Sequence, residues 1–178
     1  MVKMEMMMSS EIGISDNVFS KDDYEYIIEY SETCPYRYGE RDMPGTPVCG
    51  MVHEIDSSKK IYRLFRKKIE DELCPSTRDL EMYRMYINCF SPADQPMYHQ
   101  DGRKGITFLY YVNNEKWNLS DQGETQFYID GMISGVPPVP NRMVMFHPSR
   151  WHCATSFRDR YRFTIAVKYQ PKKSMRLS

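Results

Sequence analysis

The chain has 178 residues, of which 41% are apolar and 13% aromatic, and 24 lysines and arginines balance 24 aspartates and glutamates. This length predicts a single domain, residues 1–178, with its own core, and the zero net charge argues against nucleic acid as a partner. Five cysteines without a Cys-x-x-Cys pair indicate free thiols in a reducing compartment, so we expect a cytoplasmic protein. No apolar run approaches a membrane span, so no membrane partner is expected.

The first part of the chain, residues 1–76, carries two helical patterns. A capping pattern predicts that one helix begins after Ser20 and ends near Pro35. A second amphipathic helix is predicted over about 58–73. Residues 36–50 between them are rich in glycine and proline, and a surface connection and a substrate lid explain this loop equally well.

From residue 77 to 171 apolar residues alternate as in β-strands. The predicted strands, with a short one before the second helix, are Met51–Ile55, Glu81–Phe90, Tyr98–Asp101, Gly105–Val112, Thr125–Ile129, Arg142–His147, Trp151–Phe157 and Tyr161–Tyr169. Many short strands without intervening helices predict a mainly β (α+β) fold, a barrel or jelly roll with the two N-terminal helices packed on its outer face. The tail, residues 172–176, is expected to be frayed.

Three separated residues are candidates for a metal site. Residues two apart on a strand point to one face, so His99 and Asp101 would project side by side. A histidine from a later strand would complete two imidazoles and one carboxylate on one face of a metal. This is the ligand set of non-haem Fe(II) oxygenases, which leaves three coordination positions open.

Two histidines compete for the third position, because His147 and His152 both lie near the end of an apolar strand. Ten residues after His152 comes Arg162, a permanent cation that could hold a carboxylate. Ten residues after His147 comes Phe157, which could not. We therefore assign His152 as the metal ligand and expect a structural or rim role for His147. Arg162 and Thr164 share a strand face and can meet one ligand.

Four segments occur in a specific order, namely His99-Gln100-Asp101-Gly102, Gly123-Glu124-Thr125-Gln126-Phe127, Asn141-Arg142-Met143-Val144-Met145-Phe146, and His152 with Arg162-Phe163-Thr164. This set resembles the 2-oxoglutarate- and Fe(II)-dependent dioxygenases, in particular their prolyl-4-hydroxylase-like branch, over roughly residues 80–170. The resemblance implies a double-stranded β-helix core over 77–171. It also implies Fe(II) on His99, Asp101 and His152 as catalytic residues, with O2 at a remaining position.

The resemblance further implies where 2-oxoglutarate binds. Its distal carboxylate would pair with Arg162, and the helping residues would be Thr164, Tyr111 and Thr125. Many hydroxylases carry a tyrosine where this chain has Phe90, which cannot donate a hydrogen bond. Asn88, on the same strand face as Phe90, is the candidate substitute.

The implied activity is hydroxylation of a C–H bond with release of succinate and CO2. A prolyl residue is the first substrate that the resemblance suggests, while free amino acids, small metabolites and other protein side chains stay open. One alternative is an alkylated-nucleobase dioxygenase, which would need a basic groove. Another is a non-catalytic jelly roll that binds a ligand or partner; the metal residues then need not converge, and Arg162 would lie at the surface. The oligomeric state is not readable from the sequence.

Overall fold

The structure, a computed structural model, describes residues 12–172. Its α-helices are α1 (Lys21–Thr33) and α2 (Lys60–Lys67), and short 3-10 helices cover Pro75–Asp79 and Leu119–Asp121. Its strands are β1 (Ile12–Ser15), β2 (Arg37–Tyr38), β3 (Met51–Glu54), β4 (Leu80–Phe90), β5 (Ile106–Val112), β6 (Thr125–Ile129), β7 (Met132–Val136), β8 (Met143–Phe146), β9 (His152–Ala154) and β10 (Arg162–Pro171). The expected frayed tail lies, apart from residue 172, outside the described residues.

Two antiparallel sheets form the body of the fold. The larger sheet has the order β1-β8-β5-β10-β4-β3-β2, and the smaller has the order β7-β6-β9. Non-consecutive neighbours in both sheets show that the chain crosses between them repeatedly, as in a jelly roll. The predicted mainly β fold is therefore confirmed, and the structure adds that its sheets are antiparallel and that it has two α-helices.

The helices follow the sequence signals closely. The Ser20 hydroxyl accepts a hydrogen bond from the Asp23 amide at 3.3 Å, and α1 ends one residue before Cys34, next to Pro35. The second helix covers most of the predicted range, but Lys68–Leu73 is π-helical and continues α2 directly. Within residues 12–172, no helix is long and apolar enough to cross a bilayer.

The side chains of strand β4 alternate between the two faces of the large sheet. Its odd-numbered Met85 and Ile87 join an apolar cluster with helix residues such as Ile61 and Phe65. Its even-numbered residues line a cavity between the sheets, namely Arg84, Tyr86, Asn88 and Phe90. The alternation predicted from the sequence thus decides which side chains of β4 reach the candidate site.

Several strands differ from their predicted bounds. Residues 98–101 form one isolated bridge, because the amides of Asp101 and Gly102 bond to the Pro148 carbonyl rather than to a neighbouring strand. The predicted strand over 151–157 shortens to β9, after which the Thr155 amide still bonds to the Glu124 carbonyl and Phe157 forms an isolated bridge with Gln122. Strands β1, β2 and β7 lack a clear alternating pattern and were not predicted.

Candidate active site

Three residues predicted as metal ligands meet at one point. The ligand atoms of His99, Asp101 and His152, together called the metal triad, all lie within 4.8 Å of one another. A pair of backbone hydrogen bonds between His99 and His152, of 2.9 and 3.0 Å, joins the two histidine segments. The Asp101 amide donates to the Pro148 carbonyl at 2.8 Å, which fixes the third segment.

The hydrogen bonds of the two histidines determine their tautomers. His99 Nδ1 lies 3.0 Å from the Met97 carbonyl, and His152 Nδ1 lies 2.9 Å from the Arg150 carbonyl. Because a carbonyl oxygen only accepts, both Nδ1 atoms carry the hydrogen, and both Nε2 atoms keep a lone pair. These Nε2 atoms lie 3.7 and 3.8 Å from the two oxygens of Asp101. The donor set fits a divalent transition metal such as Fe(II).

The carboxylate of Asp101 is buried, with 3% of its side chain exposed. Lys168 Nζ donates to Asp101 Oδ1 at 2.6 Å, and the Thr107 hydroxyl donates to Oδ2 at 2.7 Å. Burial would raise the pKa of Asp101, but Lys168 and His152 lower it to about 2. Burial lowers the pKa of His152 to about 4. Near neutral pH the carboxylate is therefore ionised and the His152 imidazole is neutral, the states in which both bind a metal.

Arg162 begins β10 and is 1% exposed. Its Nε donates to the Gly123 carbonyl at 2.8 Å, Nη2 donates to Thr125 Oγ1 at 2.9 Å, and Nη1 lies 3.5 Å from Thr164 Oγ1. No carboxylate of residues 12–172 forms an ion pair with it, whereas Arg160 pairs with Asp121 near the surface at 3.0 Å. Arg162 is thus a buried cation that lacks an anionic partner, although burial lowers its pKa.

The metal triad and Arg162 line one cavity between the two sheets, with a volume of about 100 Å³. The even-numbered residues of β10 form one wall of it, namely Arg162, Thr164, Ala166 and Lys168. Leu109, Phe146 and Phe90 add apolar surface. Because Lys168 contacts Asp101, the metal triad lies near the Lys168 end of this wall. Arg162 lies at the opposite end of the wall.

Of the remaining residues predicted to bind oxoglutarate, Asn88 and Thr125 line the cavity and Tyr111 does not. Asn88 lines the cavity, and its buried Oδ1 has no hydrogen-bond partner within residues 12–172. Thr125 also lines the cavity, and its hydroxyl contacts both Arg162 and the Tyr111 hydroxyl, the latter at 2.8 Å. Tyr111 is fully buried behind Thr125 and is not among the residues that line the cavity. Its direct contact with oxoglutarate stays a prediction.

The other two histidines of the described chain have local partners. His147 Nδ1 lies 2.7 Å from the Ser149 hydroxyl inside a turn, and His147 is not part of the metal triad. His53 contacts the Tyr30 hydroxyl and the Pro35 carbonyl, both at 3.1 Å.

Two residues of the site were missed by the sequence reasoning. Lys168 shares the strand face of Arg162 and Thr164, so extending the same alternation to the end of β10 would have found it. Asp42 comes from the irregular loop 36–50; its carboxylate accepts from the Met97 amide at 2.7 Å and lies 3.6 Å from His99 Nδ1. No sequence signal placed that loop against the metal triad.

Comparisons with known proteins agree with this architecture. No family model and no curated protein matches the chain. Among solved structures, a prolyl-4-hydroxylase from Pseudomonas putida matches 91% of this chain and 93% of its own, with a TM-score of 0.69 and 16% identity. A prolyl hydroxylase from Trichoplax adhaerens, in complex with a hypoxia inducible factor peptide, matches 92% and 85%, with a TM-score of 0.72 and 14% identity.

A third neighbour is HygX from Streptomyces hygroscopicus, solved with nickel, 2-oxoglutarate and hygromycin B bound. It matches 92% of this chain and 84% of its own, with a TM-score of 0.70 and 11% identity. At these identities the likeness concerns the fold, and it extends over nearly the whole chain. The chain therefore has the fold of the prolyl-4-hydroxylase-like 2-oxoglutarate- and Fe(II)-dependent oxygenases, as its sequence motifs predicted.

Proposed function

We propose that this protein is a 2-oxoglutarate- and Fe(II)-dependent dioxygenase that hydroxylates a C–H bond of a peptide or small molecule. The observation that carries the proposal is the buried Arg162 guanidinium, which has no anionic partner among residues 12–172 and shares its cavity with two imidazoles and one carboxylate. A non-catalytic jelly roll has no need of this combination, because an unpaired buried cation destabilises a fold.

The metal triad would hold the iron through both Nε2 atoms and the Asp101 carboxylate. Iron, when bound, supplies the activation of dioxygen. The overall reaction balances as substrate C–H, 2-oxoglutarate and O2 giving substrate C–OH, succinate and CO2. The protein residues contribute binding, orientation and exclusion of water.

Arg162 is suited to the distal carboxylate of oxoglutarate. A guanidinium has five N–H donors, and three of them face Gly123, Thr125 and Thr164. One N–H therefore remains on each terminal nitrogen, which is the pair that a bidentate carboxylate accepts. Thr164 can add its hydroxyl, and the Asn88 amide can turn its N–H group towards a carboxylate oxygen.

The apolar part of the cavity wall has a separate role. Leu109, Phe146 and Ala166 lie between the polar groups that line the cavity. Apolar walls keep water from the buried ion pairs and strengthen the electrostatic interactions inside the site. We infer that these residues shield the co-substrate from bulk water. From the five free cysteines we also infer that the protein acts in the cytoplasm.

Metal and co-substrate binding test the proposal. The protein is loaded with Fe(II) without oxygen, its metal content is measured, and 2-oxoglutarate is titrated while absorbance is followed. Glutarate, which has both carboxylates but no keto group, is the matched control. We expect one iron per chain and at least about tenfold weaker binding of glutarate. Failure to retain a divalent metal, or equal binding of the two diacids, would contradict the proposed function.

A further inference from the structure

Asp42 is a carboxylate on the cavity wall, and the reaction described above gives it no role. It belongs to loop 36–50, and 9% of its side chain is exposed. Its Oδ2 accepts a hydrogen bond from the Met97 amide at 2.7 Å, and its Oδ1 lies 3.6 Å from Nδ1 of His99. Both neighbours of Asp42 therefore belong to the segment that supplies one ligand of the metal triad.

Met97 connects Asp42 with the imidazole of His99. Its amide donates to Asp42, and its carbonyl oxygen accepts from His99 Nδ1, 3.0 Å away. The backbone of Met97 is thus held on one side by the carboxylate and holds the imidazole ring on the other. Because Nδ1 keeps its hydrogen in this arrangement, Nε2 keeps the lone pair with which it would bind a metal.

Loop 36–50 is attached to the cavity walls by two carboxylates. Glu40 forms an ion pair with Arg84 of β4 at 3.4 Å, and Asp42 holds the Met97 amide. The loop therefore bridges two walls of the cavity, namely β4 and the segment that carries His99. If the loop left this position, Asp42 would leave Met97 as well, so the docked loop and the fixed imidazole depend on each other.

The same contacts are favourable for a bound metal. A hydrogen bond from the second ring nitrogen of a ligating histidine orients the ring and makes the metal-binding nitrogen more basic. Asp42 supports that bond through Met97, and its negative charge lies close to the ring that would carry the cation. Coupling between two equilibria is reciprocal, so a docked loop that strengthens metal binding is itself stabilised by the metal to the same extent.

We propose that Asp42 is a positioning residue, which holds His99 through Met97 and thereby couples the docking of loop 36–50 to metal binding. The inference rests on the proposed function, because it requires the metal triad to bind a divalent metal. In the metal-bound protein the loop is docked more firmly than in the metal-free protein. The loop then acts as part of the metal site, and Asp42 is the residue that connects the two.

The metal affinity of matched variants tests the role of Asp42. Fe(II) is supplied without oxygen, and its affinity is measured by competition with a coloured chelator. We expect Asp42→Ala to bind Fe(II) about ten- to hundredfold more weakly, the usual effect of removing a group that orients a ligating histidine. Asp42→Asn keeps an oxygen that can accept from Met97, so it should recover part of the affinity. The control Asp79→Ala removes an exposed aspartate that does not line the cavity, and it should match the unaltered protein.

Hydrogen exchange measures the coupling between the loop and the metal directly. The exchange of the Met97 amide and of the amides in loop 36–50 is followed with and without Fe(II). In the unaltered protein we expect Fe(II) to slow this exchange by a factor similar to the affinity lost in Asp42→Ala, about tenfold or more. In Asp42→Ala at saturating Fe(II) this slowing should be lost. If Asp42→Ala does not fold, the exchange of the unaltered protein still decides.

Three results would overturn the inference alone. They are an unchanged Fe(II) affinity in Asp42→Ala, an Asp42→Asn variant that binds no better than Asp42→Ala, and loop exchange that Fe(II) does not slow in the unaltered protein. An unaltered protein that retains no Fe(II) gives a different result, because it would overturn the proposed function and this inference with it.

Discussion

Replacing Arg162 by alanine should weaken oxoglutarate binding without removing the metal. The guanidinium is 1% exposed, and its two remaining N–H groups, one on each terminal nitrogen, match a bidentate carboxylate. Leaving a buried carboxylate without its charged partner costs roughly 2–5 kcal/mol. This loss corresponds to weaker affinity by about thirtyfold to several thousandfold. Arg162→Lys keeps the positive charge but loses the planar guanidinium with its paired N–H donors. Its affinity for oxoglutarate should therefore lie between those of the unaltered protein and Arg162→Ala.

Anaerobic titration of the Fe(II)-loaded protein with oxoglutarate measures this affinity, and metal analysis of the same samples checks the iron. Arg158→Ala is the matched control, because Arg158 lies on the same chain segment but is exposed. Unchanged affinity in Arg162→Ala, with iron retained, would refute the assignment of Arg162. Loss of iron in that variant would instead show that Arg162 supports the metal triad.

Three further predictions concern the metal triad, the titration of His152 and the backbone at Gly105. Alanine variants of the metal triad should each abolish oxoglutarate-dependent succinate formation, whereas His147→Ala should keep most of it; the reverse result for His147 and His152 would refute the ligand assignment. In the metal-free protein, burial lowers the pKa of His152 from 6.5 to about 4. As the pH falls, this histidine is therefore protonated in the unfolded chain before it is protonated in the folded protein. The free energy of unfolding from urea titrations should therefore fall by up to about 3 kcal/mol between about pH 7 and pH 4, and a His152→Gln variant with an equally steep fall would contradict this cause. A Cβ at Gly105, where φ is +114°, would lie 1.9 Å from the Tyr169 carbonyl oxygen, while one at Gly131, where φ is +81°, has no neighbour within 4 Å. Gly105→Ala should therefore lower the free energy of unfolding by about 1–3 kcal/mol more than Gly131→Ala, and equal losses would refute the steric argument.

The sequence determined the parts of the site that depend on local periodicity. The two-residue spacing of His99 and Asp101, and of Arg162 and Thr164, predicted pairs of side chains on one face, and both pairs line the cavity. The step of ten residues selected His152 over His147 as the predicted ligand, and His152 is the histidine found in the metal triad. Alternation along a strand follows from backbone geometry, so it is readable without the fold.

The structure of the N-terminal part was predicted less completely from the sequence. Both helices were predicted, but β1 and β2 were not, because neither shows a clear alternation of apolar and polar residues. Loop 36–50 left a surface connection and a substrate lid equally open. The structure places Glu40, Arg41 and Asp42 of this loop on the cavity wall, which the loop composition did not indicate.

Contacts between distant segments were decided by the tertiary structure alone. Lys168 and Asp101 are 67 positions apart, and their ion pair exists because β10 passes the segment that carries the metal triad. The Tyr111 hydroxyl donates to Thr125, which the smaller sheet places on the cavity wall, so the contact of Tyr111 with oxoglutarate stays a prediction. The sequence states which face of its strand a side chain occupies, whereas the packing of two sheets determines which groups meet across the cavity and which charges remain unpaired.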